Sequence, residues 1–95
     1  MKILPQPIRF EWDTGNRDKS WVRHKVSNEE CEEVFFDPHK RLLKDILHSG
    51  NNESRYVLLG RTRFDRALFV VFTVRGKMVR VISARDLNRK EEKLL

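Results

Sequence analysis

Seven arginines fall on or beside the stretch YVLLGRTRFDRALFVVFTVRGKMVRVISAR, residues Tyr56–Arg85: Arg55, Arg61, Arg63, Arg66, Arg75, Arg80 and Arg85. A guanidinium offers a planar fork of N–H donors that matches phosphate oxygens. Such a set suits a polyanion, and it suits one reaction in particular. RNA carries its own nucleophile in the 2′-hydroxyl, and the charge that builds on the attacked phosphate can be stabilised by preorganised Arg or Lys groups. A general base and acid would each add about 10²–10⁴-fold, and His, Glu or Tyr could serve. His24, His39 and His48 are scattered through the chain, with no pair at metal-ligand spacing. There is no Walker loop, GxSxG or HExxH. The same arginines read equally well as solvated strand residues or as contacts to an acidic partner.

These arginines need strands to hold them. Tyr56–Leu59, Ala67–Val74 and Met78–Ile82 are rich in Val, Leu, Ile, Phe and Tyr, the side chains that fit a pleated, half-buried surface. Phe64-Asp65-Arg66 and Arg75-Gly76-Lys77 are short enough to be hairpin connections. Strict alternation in the last strand would put Val79, Val81 and Ser83 on one face and Arg80, Ile82 and Ala84 on the other. By periodicity Arg61, Arg80 and Arg85 lie near one sheet surface or its edge.

Upstream elements must cover the other surface. Ile8-Arg9-Phe10-Glu11-Trp12 alternates as a half-buried strand does, with Ile8, Phe10 and Trp12 inward. Asp13 is placed to cap a short helix running to about Arg23, anchored in the core by Trp21. Ser27-Asn28-Glu29-Glu30 is a capping box, with Val26 and Cys31 as its hydrophobic staple. Cys31, Val34 and Phe35 then share one face, and Asp37-Pro38 ends the helix. Cys31 reads as a core residue rather than a nucleophile. For residues 39–54 a helix through Leu42, Leu43, Ile46 and Leu47 and a strand Arg41–Lys44 remain open, with a turn at His48–Asn52. The tail Asp86–Leu95 is helix-compatible, capped by Asp86 or Asn88 and tethered by Leu87, Leu94 and Leu95.

The 95 residues fit one domain, with 1–7 as a leader and 86–95 as a tail. From Ser54 onward there are eleven Lys/Arg against four Asp/Glu, and before it nine against ten, so the net charge of +6 resides in the sheet half. That favours a polyanion or an acidic protein as partner. A single cysteine excludes an internal disulfide and a multi-cysteine metal site. No apolar run nears the roughly 20 residues that span a bilayer, and no secretory signal is expected.

In order and spacing, several pieces of the chain resemble the BrnT family of type II toxins, from about Phe10 to Arg89. They are FEWD at Phe10–Asp13, RHKV at Arg23–Val26, EEVFFDP at Glu32–Pro38, His48-Ser49, RYVLLGR at Arg55–Arg61 and, most distinctive, VRVISAR at Val79–Arg85. The departures are Thr14 for a family Pro, Ser20 for Asn, Lys25 for Gly, Ser54 for Glu and Val74 for an acidic residue. Lys25 suggests a differently shaped interhelical turn, and Val74 removes a carboxylate from its strand end. The resemblance implies an α+β, RelE-like fold with two N-terminal helices on one face of an antiparallel sheet. It implies a cytoplasmic endoribonuclease that inhibits translation and needs no metal or cofactor. Its expected partners are RNA and a BrnA-like ribbon-helix-helix antitoxin, usually two toxins with two antitoxins, touching operator DNA only through the antitoxin. Carried over by position, catalytic roles fall on Arg61, Arg80 and Arg85, with His24 and His48 as acid/base candidates. RNA binding falls on Arg55, Tyr56, Arg63 and Arg66. Two other readings stand beside this one: a non-catalytic RNA- or protein-binding module, and a degenerate toxin that retains only antitoxin binding.

Overall fold

The three apolar runs pair as antiparallel strands, and a fourth joins them. A computed structural model describes residues 3–45 and 53–95. Its strands are β1 (Arg41–Asp45), β2 (Arg55–Arg61), β3 (Ala67–Arg75) and β4 (Met78–Asp86), in the spatial order β1-β2-β3-β4. The helices are α1 (Lys19–His24), α2 (Asn28–Glu33), which runs on into a 3-10 turn (Val34–Phe36), and α3 (Arg89–Glu92). This α+β arrangement, short N-terminal helices on a four-strand antiparallel sheet, is consistent with a RelE-like fold. Residues 41–45 are thus strand; the expected turn at 48–52 and the helix positions Ile46 and Leu47 lie outside the described residues.

One sheet face carries the main core. Leu58, Leu68, Val70, Phe72, Val79, Val81 and Ala84 pack against Val26, Cys31, Val34 and Phe35, with Ile8, Phe10 and Trp12 around them. Phe35 sits edge-on between Phe10 and Phe72, at centroid distances of 5.2 and 5.0 Å. Gly60 lies under the 3-10 turn, where a Cβ would come within 3.0 Å of the Val34 carbonyl oxygen. The β3–β4 hairpin turns on Gly76, whose φ of 60° is cheap only for glycine. The capping box on α2 is present in both directions, Ser27 Oγ accepting from the Glu30 amide and Glu30 from the Ser27 amide. Cys31 is buried beside Glu30 and Glu32, and burial first, then those carboxylates, pushes its thiol up to about 12. It is a core residue, as read.

Three expectations are corrected. The helix after Asp13 starts only at Lys19: Asp13 instead organises a turn, accepting the Gly15 amide at Oδ1 and the Asn16 and Arg17 amides at its carbonyl. Trp21 is not a core anchor but 48% exposed. The buried residue of α1 is Ser20, whose hydroxyl accepts the Ala84 amide at 2.9 Å, and this orientation turns Trp21 and Val22 outward. At the interhelical turn Lys25 itself takes the left-handed conformation that favours glycine (φ 57°, ψ 36°), as the cap of α1. Finally, the faces of β4 do not alternate throughout. Phe72 pairs with Val81 and Val71 with Ser83, so Ile82 is an extra, bulged residue. Val79, Val81 and Ala84 therefore share the core face, and Arg80, Ser83 and Arg85 share the other.

The outer edge of β4 is sealed around this bulge. Val79 exchanges backbone hydrogen bonds with Arg9 and Glu11, forming a parallel bridge at Phe10. The Asn16 amide donates to the Val81 carbonyl at 3.0 Å, and Ser20 takes the Ala84 amide. Asn16 and Ser20 are accordingly buried polar residues with their partners in place.

Lys25→Gly should stabilise the protein by ~0.5–1 kcal/mol. The left-handed strain of about 1–2 kcal/mol is relieved, less the contact of Lys25 Nζ with the Trp21 ring at 5.4 Å. A thermal melt should show a midpoint higher by a few degrees; an unchanged or lower midpoint would remove the strain at Lys25 from this account.

Candidate RNA-binding face

Backbone pairing sorts the arginines. On the sheet face opposite α2, Arg55, Thr73 and Arg80 form one cross-strand row. Leu43, Val57, Val71 and Ser83 form the next, then Arg41, Leu59, Phe69 and Arg85, and Arg61 pairs with Ala67 beyond them. Arg55, Arg61, Arg80 and Arg85 thus share one face, bordering an apolar centre of Val57, Leu59, Ala67 and Leu87 backed by Phe69, Val71 and Leu95. They do not meet at a point. Ala67 and Thr73 are six residues apart, so the Arg61 and Arg80 rows are separated by about 20 Å along the strands. The face is a track rather than a single phosphate pocket.

The three expected catalytic arginines differ in how far their charge is already answered. Arg80 is the most enclosed, its side chain 13% exposed, with Asp13 at 2.7 and 2.9 Å and Glu11 at 3.1 Å. Arg80 and then the Gly15 amide hold the Asp13 carboxyl down at about 2. Arg85 lies over the Phe69 ring at 4.1 Å and grips Glu91 through both terminal nitrogens at 2.7 and 2.8 Å. That grip, ahead of the Asn88 amide, holds Glu91 down at about 2. Glu91 is also the third residue of α3, whose Asn88 capping box places it. Among the described residues the Arg61 side chain has one ion pair, to Asp65 at 3.7 Å, itself largely exposed. Its backbone is fixed by Asp37, which accepts the Arg61 amide at 2.8 Å and the His39 amide at 2.9 Å, so His39 enters the same cleft as Arg61 and Arg63.

The other expected residues are placed as follows. His24 ends α1 and is exposed, and it lines a cleft of about 740 Å³ between α1 and β4 together with Arg17, Lys19, Arg23, Ile82 and Ser83. His48 lies outside the described residues. Tyr56 points to the core face, packed on Phe72 at 5.5 Å, away from the arginine track. Val74 is on that same core face, so its missing carboxylate would not have faced the arginines. Arg63 is exposed in the β2–β3 connection. Arg66 is a structural clasp. Its guanidinium donates to Asp86 at 2.6 and 3.0 Å, to Glu30 at 3.0 and 3.1 Å, and to the carbonyls of Lys25 and His24. It ties the end of α1 and the start of α2 to the end of β4.

Sequence reasoning did not single out Ser83, Arg17, Lys19, Arg23 and His39, which line these clefts. Ser83 was assigned to the wrong face because the bulge has no sequence mark. The cations on and around α1 did leave a signal: Arg17, Lys19, Arg23 and Lys25 fall within nine residues against the single acid Asp18.

Two outcomes follow from these ion pairs. Arg66→Met should cost about 1–3 kcal/mol, because it takes the guanidinium away from the part-buried Glu30 carboxylate, the more exposed Asp86 and two carbonyls. Urea unfolding should show the loss as a lower midpoint at unchanged slope. The second outcome concerns acid. Asp13 and Glu91 are depressed from 3.8 and 4.5 to about 2 in the folded state. A depressed carboxyl stabilises the fold fully above its unfolded value and loses that contribution as pH falls through the folded one. Melting temperature should therefore be flat in these two groups above about pH 5 and fall toward pH 2, and Asp13→Asn with Glu91→Gln should flatten that acid limb. An identical limb in the double variant would contradict the pairing.

Comparison with curated proteins found no match for this chain. A family model does match, over residues 12–91, which include the turn at Asp13, the α1–α2 pair and all four strands. The model describes the ribonuclease toxin BrnT of a type II toxin–antitoxin system, and with most of its length matched this chain belongs to that family.

Proposed function

We propose that the chain is a metal-independent endoribonuclease that inhibits translation in the cytoplasm, with RNA laid along the arginine track of the sheet. Family membership implies an RNA substrate and a cognate antitoxin. The observation that carries the reading is the common face of Arg55, Arg61, Arg80 and Arg85. The 2′-hydroxyl of one nucleotide attacks the adjacent phosphate, and an arginine beside that phosphate meets the charge as it develops. Arg61 is the best placed for this, since it is fixed through its backbone and its charge is the least answered. Arg85 and Arg80 orient the flanking phosphates with the donors their carboxylates leave open. His24 and His48 are the proton-transfer candidates. The cognate antitoxin is of the ribbon-helix-helix, BrnA-like class, assembled as two toxins with two antitoxins, and it alone contacts operator DNA.

The neutralisation of Arg80 and Arg85 by Asp13, Glu11 and Glu91 favours a second reading, a binding module without turnover. Cleavage of RNA by the purified protein in EDTA separates the two. Arg61→Gln should lower the rate about 100-fold or more with the thermal midpoint kept, as expected for removal of a transition-state donor. An RNA left intact in EDTA, or a rate indifferent to Arg61, overturns the catalytic reading.

A further inference from the structure

We infer that the cleft between α1 and β4 is a second RNA-phosphate subsite, joined to the arginine track through Ser83. The inference rests on the reading that RNA is the substrate. Its first support is the state of the cations. Among the described residues the side chains of Arg17, Lys19, Arg23 and His24 make no ion pair or hydrogen bond, whereas Arg66, Arg80 and Arg85 are all held by carboxylates. The one acid among them, Asp18, is engaged by the Asn28 side-chain amide at 2.9 Å. Arg17, Lys19 and Arg23 against the single carboxylate of Asp18 leave the walls of a 740 Å³ cleft net positive, which calls for an anion from outside.

The second support is continuity. Ser83 lines this cleft, yet by register it stands on the same face as Arg80 and Arg85 and one row from each. Its hydroxyl is exposed and has no partner among the described residues. The bulge at Ile82 is what turns Ser83 to this face, so the track and the cleft meet there. The third support is Trp21, which stands outside the cleft wall but on the same helix, 48% exposed and with the Lys25 ammonium over one face of its ring. Cations beside a half-exposed aromatic ring are what single-stranded nucleic acid binds, phosphates to the charges and a base to the ring.

The test uses the full chain and a single-stranded 2′-O-methyl RNA of about 12 nucleotides, which cannot be cut by 2′-hydroxyl attack, with affinity read by fluorescence anisotropy across a salt series. The triple variant Arg17→Gln/Lys19→Gln/Arg23→Gln should bind roughly 30- to 100-fold more weakly at 0.1 M salt, with a salt slope shallower by about 2. Ser83→Asp should weaken binding by ~10-fold, and Arg17→Lys/Arg23→Lys should retain wild-type affinity. All of these positions are exposed, so thermal midpoints should stay put. A triple variant with wild-type affinity and slope, in a protein that binds and cleaves RNA, overturns the subsite and leaves the ribonuclease reading intact. A triple variant that keeps RNA but loses a protein partner likewise overturns it, assigning the cleft to that partner. A wild-type chain that binds no RNA at any salt overturns the substrate reading, and the subsite with it.

Discussion

The bulge at Ile82 in β4 decides the chemistry available to the sheet. Arg80 and Arg85 are an odd number of residues apart, and in a regular strand they would stand on opposite faces. One extra residue between Val81 and Ser83 returns the second arginine to the face of the first. It also keeps Val79, Val81 and Ala84 together in the core, so the strand serves a fully buried surface and a charged one without conflict. A bulge weakens the ladder locally, and here the defect is supported from outside. Asn16 takes the Val81 carbonyl and Ser20 the Ala84 amide, on either side of the extra residue. The turn at Asp13 and the first helix are therefore part of the device that sets the arginine face. That accounts for an N-terminal region whose helix buries a serine and exposes a tryptophan.

What could be read in the residues was what local chemistry determines. The capping box Ser27–Glu30 is satisfied within four residues, so its geometry follows from its letters. The strands β2 and β3 were legible because their apolar runs are long, and Cys31, Val34 and Phe35 because helical spacing alone brings them onto one side. Trp21 was misplaced because the rotation of α1 is set by a hydrogen bond across 64 residues, from Ala84 to Ser20. Ser83 was misplaced because an extra residue in a strand changes no propensity. The partners of the arginines were also out of reach. Asp13 and Glu91 are ordinary surface acids by sequence, and only the fold brings them to Arg80 and Arg85.

Those partners limit what each arginine can do. A guanidinium has five N–H donors. Arg80 commits three hydrogen bonds to Asp13 and Glu11, and Arg85 commits three to Glu91 and the Asp86 carbonyl. In each case Nε and one terminal hydrogen remain for a ligand, but the net charge of the cluster is near zero or below it. Such groups orient a phosphate better than they attract one. Attraction must come from cations that nothing answers, and orientation from cations that cannot move. The chain separates the two tasks, with loosely held Arg17, Lys19 and Arg23 on and just before a short helix and clamped arginines on the strands. Arg61 stands between these classes: its backbone is pinned by Asp37, while its side chain meets only a distant, exposed carboxylate. A donor with a fixed origin and a weakly answered charge is the one whose interaction can strengthen most as a phosphate gains charge, which is the condition for accelerating a reaction rather than merely binding its substrate.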